Sequence, residues 1–146
     1  MTRCAQYSSR PRLSHWAAVK RIMRYIRGTI SHGITFYGGA SDLKLTGFID
    51  ADYCNDVNDR KSRTGAVFKL ANGPISWFSQ KQGCTADLTT EAEFVALAER
   101  TKEAIWLRRL SRSIGLPQTD PTILFCDNQS AIRLVKNPDF SLRIFH

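Results

Sequence analysis

Between residues 14 and 28, Trp16, Val19, Ile22, Met23 and Ile26 recur every three or four positions, the period of one helical face. Ser14 stands where an N-cap is expected, and Gly28 where a helix stops. Lys20, Arg21 and Arg24 fall mostly off that stripe. Gly33-Ile34-Thr35-Phe36-Tyr37 reads as a short strand before the Gly38-Gly39 break. From residue 44 the pattern turns to β: Leu45–Asp50, Gly65–Leu70 and Ile75–Ser79 predict three strands, the last two joined through the turn residues Asn72-Gly73-Pro74. A polar loop, Asp56 to Thr64, separates the first two. Thr90-Glu91-Ala92-Glu93 reads as a capping box, with Thr90 as N-cap and Glu93 at the third helical position. Phe94, Leu97, Ala98, Thr101, Ile105 and Leu110 form the buried stripe of a helix that runs to Ser113, before Gly115 and Pro117. Thr122–Cys126 is a strongly apolar strand. A short helix through Ala131, Ile132 and Val135 then ends at Asn137-Pro138. Three strands, a helix, a strand and a helix suit an α/β fold with a mixed sheet covered by helices.

Composition adds limits. The chain has 146 residues, enough for one domain with an appendage. Residues 39–43 are the expected boundary between a leading segment, 1–43, and a main domain, 44–146. The net charge of +8 is unevenly placed. Residues 1–45 hold Arg3, Arg10, Arg12, Lys20, Arg21, Arg24, Arg27 and Lys44 against the single acid Asp42, whereas the rest is nearly neutral. That imbalance fits polyanion binding and equally a solvated basic helix face. The cysteines (Cys4, Cys54, Cys84, Cys126) and histidines (His15, His32, His146) are scattered, without the close ligand pair of a zinc site. No apolar run is long enough to cross a membrane, and the N-terminus lacks a secretory pattern, so an intracellular location, cytoplasm or nucleus, is expected. Asn128-Gln129-Ser130 matches a glycosylation sequon and is discounted in that context.

Three acids have strong positions. Asp50 ends the run Gly47-Phe48-Ile49, Glu91 opens the long helix, and Asp127 ends Ile123-Leu124-Phe125-Cys126. Carboxylates at strand ends and a helix start can converge, and converging carboxylates bind hard divalent cations. Taken singly, Asp50 and Asp127 are ordinary turn formers, and Glu91 complements a helix dipole. Glu93 is assigned to capping and Asp52 to an exposed loop entry.

Several motifs together resemble one family. Gly47-Phe48-Ile49-Asp50-Ala51-Asp52-Tyr53, Asp59-Arg60-Lys61-Ser62, Ser76-Trp77, Thr90-Glu91-Ala92-Glu93-Phe94, Trp106-Leu107-Arg108-Arg109 and Cys126-Asp127-Asn128-Gln129-Ser130-Ala131-Ile132 resemble the ribonuclease H domain of copia-type retrotransposon polyproteins. His15 to Arg21 and Tyr25 to Thr29 resemble the end of the reverse transcriptase that precedes it. The resemblance implies a ribonuclease H-like mixed sheet with flanking helices. It also implies catalytic, metal-ligating carboxylates at Asp50, Glu91 and Asp127, holding two Mg²⁺ (or Mn²⁺) ions that promote hydrolysis of RNA paired with DNA. The implied partners are an RNA–DNA hybrid, read by shape and 2′-hydroxyls, and the rest of a reverse transcriptase; no membrane is involved. Arg60, Lys61, Ser62, Asn128, Gln129, Lys20, Arg21 and Arg24 are candidate nucleic-acid contacts, although Arg60 to Ser62 suit a polar surface loop equally well.

The pattern departs from the family at Ser141 to His146, where a last strand, a final helix and a fourth acidic ligand are expected and absent. Loss of turnover through truncation is therefore an expectation. So is an alternative function as a non-catalytic nucleic-acid- or protein-binding module, including a pathogen effector acting in a host cell. An unstable relic of a retroelement is a third reading.

Overall fold

The computed structural model describes residues 2–39, 43–56 and 59–137. The expected features at Asp42 and at Ser141 to His146 lie outside the described residues. The chain divides into two compact units, Met1–Thr35 and Phe36–His146, so the division precedes the expected boundary at 39–43.

The first unit contains α1 (Thr2–Ala5) and α2 (Leu13–Gly28). The N-cap of α2 is Arg12 rather than Ser14, and the Arg12 N–H donates to His15 Nδ1 at 3.0 Å. The His15 ring stacks on Tyr7, with centroids 4.2 Å apart. No residue of α2 is buried, and its stripe residues Trp16, Met23 and Ile26 are exposed.

In the second unit, β1 (Thr46–Asp52), β2 (Arg63–Leu70), β3 (Gly73–Lys81) and β4 (Ile123–Phe125) form one sheet in the order β3-β2-β1-β4. The β1–β2 and β2–β3 pairs are antiparallel, and β1–β4 is parallel. Two helices accompany it, α3 (Thr89–Ser113) and α4 (Gln129–Lys136). This is the ribonuclease H-like mixed α/β architecture that the resemblance implied.

Two local expectations are corrected. Residues 33–37 form no strand; the Tyr37 N–H donates to the Ala71 carbonyl at 3.0 Å, and the Phe36 ring packs over Gly73 of β3. The β2–β3 turn lies at Ala71-Asn72, both with positive φ (51° and 60°), so Gly73 already belongs to β3. Two left-handed residues match the twist of a two-residue hairpin, and Asn tolerates that conformation well.

The core lies on one face of the sheet. Ile49, Ala66 and Phe68 pack there with Ala96, Leu97, Ala104 and Leu107 of α3 and Ala131 of α4. The buried side of α3 therefore differs from the expected stripe. Of the residues assigned to that stripe, Leu97 is buried, whereas Ile105 and Leu110 are exposed. Alanines 92, 96 and 104 face the sheet because a small side chain lets a helix approach a pleated surface closely. The buried Gln82 side chain secures this approach. Its Nε2 donates to Thr64 Oγ1 at 3.1 Å and to the carbonyl of Ala92 at 2.8 Å, tying the first turn of α3 to β2. On the opposite face Phe48, Val67, Trp77 and Phe125 remain exposed.

A three-carboxylate candidate site

Neighbouring strands bring two of the three acids to one groove. Phe48 of β1 faces Phe125 of β4, and their rings stack with centroids 4.9 Å apart. Asp50 lies two residues further along β1, and Asp127 two residues beyond the end of β4. Both are exposed, and both line one open groove of about 780 Å³ with Phe48, Val67, Trp77 and Phe125.

The glutamate of α3 that lies beside Asp127 is Glu93, whereas Glu91 faces elsewhere. The N-cap of α3 is Leu88, two residues before the expected Thr90. That start makes Glu91 the third helical residue, the one that folds back to cap. Its Oε2 accepts the Asp87 N–H at 2.8 Å. Two residues along a helix rotate a side chain by about 200°, so Glu91 and Glu93 face nearly opposite directions. Glu93 is 6% exposed and lies on the sheet side of α3. Its carboxylate oxygen, the Cys126 sulfur and an Asp127 oxygen all lie within 4.8 Å of one another. The Cys126 thiol donates to Glu93 Oε2 at 3.9 Å.

The electrostatics agree with this grouping. Burial pushes the Glu93 carboxyl above its ordinary value, the charges of Asp50 and Asp127 push it further, and the Ala51 N–H and Cys126 thiol oppose the rise. Burial likewise raises the Cys126 thiol, which favours a neutral donor over a thiolate. Among the described residues, no lysine or arginine lines the groove. The two carboxylates of the close group, Glu93 and Asp127, with Asp50 acting on Glu93 through its charge, make an oxygen-rich set suited to a hard divalent ion.

The remaining candidates are dispersed. Ser62 is fully buried, its Oγ accepting the Cys54 N–H at 3.2 Å, so it presents no surface to a phosphate. Lys61 Nζ donates to the Gly83 carbonyl at 2.6 Å, and Arg60 is exposed with φ of 55°. Asn128 is the N-cap of α4, its Oδ1 accepting the Ala131 N–H at 3.0 Å, while Gln129 is exposed. Lys20, Arg21 and Arg24 are exposed on α2, in the first unit. Asp52 ends β1, where its carboxylate accepts from Asn55 Nδ2. Sequence reasoning assigned Glu93 to capping and did not single out Gln82. A stripe drawn through Ala92, Ala96 and Ala104 rather than through the larger apolar residues would have placed Glu93 on the buried side.

Over 142 residues, 97% of its length, the chain is 44% identical to the retrovirus-related Pol polyprotein from transposon TNT 1-94 of Nicotiana tabacum. The chain is a relative of plant transposon Pol polyproteins. Over its full length it is also 37% identical to the corresponding polyprotein from transposon RE2 of Arabidopsis thaliana. It spans 10% of the length of each of these transposon polyproteins. A third relative is the secreted RxLR effector protein 161 of Plasmopara viticola, 45% identical over 103 residues, which are 70% of this chain and 72% of that protein. No family model and no solved structure matches. Among the described residues, no helix is long and apolar enough to cross a membrane.

Proposed function

We propose that this transposon-derived Pol segment is a ribonuclease H-type domain that hydrolyses the RNA strand of an RNA–DNA hybrid at Asp50, Glu93 and Asp127. The observation that carries the reading is the grouping itself. A buried glutamate from α3 lies beside Asp127, and the charges of Asp50 and Asp127 both raise its carboxyl. The donor set fits Mg²⁺ or Mn²⁺, which prefer carboxylate oxygens; Asp50, Glu93 and Asp127 would hold the ions. When bound, such ions supply charge neutralisation at the scissile phosphate and an activated water. The chain's own part is placement. Parallel β1 and β4 fix Asp50 and Asp127, and Gln82 fixes the turn that aims Glu93.

A labelled hybrid incubated with and without Mg²⁺ tests this reading. Asp50→Asn and Glu93→Gln should each reduce cutting to background, while Glu91→Gln should leave the rate of the same order. Loss of cutting in Glu91→Gln with retention in Glu93→Gln would reverse the assignment. A second reading follows from the relative of which the chain covers 72%, named as a secreted effector. In it the fold is a binding scaffold without turnover. Hybrid binding that weakens steeply with salt, with no cleavage in Mg²⁺ or Mn²⁺, would select it.

A further inference from the structure

The C-terminal third of α3 carries Arg108, Arg109 and Arg112, which line a groove of about 490 Å³ with Ile105, Pro117 and Gln118. No acidic residue lines it. Arg108 is fixed in place: Nη1 donates to the Asp120 carbonyl at 2.7 Å and to Thr122 Oγ1 at 2.8 Å, and Nη2 to the Gln118 carbonyl at 2.6 Å. All three partners are neutral, so its charge is not cancelled. The nearby Asp120 carboxylate pairs instead with Lys44, at 3.2 Å. Arg109 and Arg112 are exposed, and among the described residues neither guanidinium has a hydrogen-bond or ion-pair partner. A base in the last turn complements a helix dipole, which accounts for Arg112 but not for the two arginines further in.

We propose that this groove is a second anchorage for nucleic acid, in which Arg109 and Arg112 hold backbone phosphates of a duplex whose cut position lies at the carboxylate end. The proposal rests on the hybrid-cleaving reading and extends it to substrate length. Side chains three apart on a helix stand about 5–6 Å from one another. Phosphates one or two nucleotides apart on a strand advance about 3.4–7 Å along the duplex axis, so the two arginines can meet neighbouring phosphates. Guanidinium forks suit that role because they bond phosphate oxygens in pairs. Sixteen to nineteen residues of α3 separate Glu93 from Arg109 and Arg112, roughly 24–28 Å along the helix axis and about 100–160° around it. A duplex of about 6 base pairs, near 20 Å long, is shorter than that axial interval, whereas one of about 18, near 60 Å, exceeds it and leaves length to pass around the helix.

Fluorescence anisotropy with labelled hybrids of these two lengths tests the proposal, with Asp50→Asn as the background so that nothing is cut. Adding Arg109→Ala and Arg112→Ala should weaken binding of the longer duplex about tenfold and lower the slope of log K against log salt by about 2. The shorter duplex should change less than about twofold. The lysine pair at the same positions should recover most of the salt slope, because it restores charge without the fork. Equal weakening of both lengths, or no change in either, would overturn the second anchorage. Displacement of the longer duplex by poly-glutamate at lower concentration than by unlabelled duplex would overturn its assignment to nucleic acid. Cleavage is not read in these measurements, so failure of the hydrolytic reading would appear separately, in the Mg²⁺ assay.

Discussion

At the residue scale, Glu93 holds the domain's main local conflict between stability and chemistry. Burial and two neighbouring carboxylates raise its pKa in the folded chain above that of the unfolded chain. A carboxyl shifted in that direction supports folding below its unfolded pKa, about 4.3, and that support is lost as pH rises through the folded value. Once ionised, Glu93 therefore works against the fold unless a cation compensates. Glu93→Gln, which cannot ionise, is expected to melt about 2–5 °C higher than the natural chain at pH 7 in EDTA. The difference should close below about pH 4, where the natural carboxyl is also neutral. Added Mg²⁺ should narrow it at pH 7 by stabilising only the natural chain. Thermal melts at the two pH values check this. A variant less stable than the natural chain at pH 7 would mean that Glu93 is held by contacts stronger than the repulsion around it.

At the element scale, the close approach of β1, β4 and the core sets the spacing of Asp50 and Asp127. Gly47 shows how tight it is. A Cβ there would stand 2.7 Å from Leu124 Cδ2 and 2.8 Å from Phe68 Cε1, inside normal contact on both sides. Gly47→Ala is expected to lower stability by about 1–3 kcal/mol through overpacking, measurable by urea unfolding. An unchanged midpoint would show that β4 yields freely. Most of this layer was readable in advance. The alternation of Gly47, Ile49 and Ala51 against Phe48, Asp50 and Asp52 marks β1 as half-buried, and the apolar run before Asp127 marks β4. What failed depended on neighbours that a local pattern does not contain. Ile34 and Phe36 alternate like a strand, but only Tyr37 makes a backbone bond to the sheet. Glu91 rather than Glu93 folds back over the helix start because α3 begins at an apolar N-cap, Leu88, where propensity favours the polar Thr90. Which glutamate faces the site was thus decided by helix phase, set by Gln82 and the alanine face.

At the scale of the whole molecule, fold and charge are carried by different parts of the chain. Among the described residues, every buried side chain lies between Leu45 and Leu134. All therefore fall within the Phe36–His146 unit. Residues 1–35 hold seven of the 21 bases and none of the 13 acids, so without them the net charge falls from +8 to +1. A chain starting at Phe36 is expected to keep a cooperative thermal transition within about 3 °C of the full chain, because stability follows buried apolar area. It should also lose most of the steepness in the salt dependence of hybrid binding, since that slope follows the number of cations placed against phosphates. A non-cooperative melt would show that the leading segment completes the core. A preserved salt slope would assign polyanion attraction to the arginine groove of α3 and not to α2. Near-neutrality of the second unit makes these outcomes separable: once α2 is gone, little net charge remains to attract a duplex from a distance, and contacts at fixed positions must account for whatever binding persists.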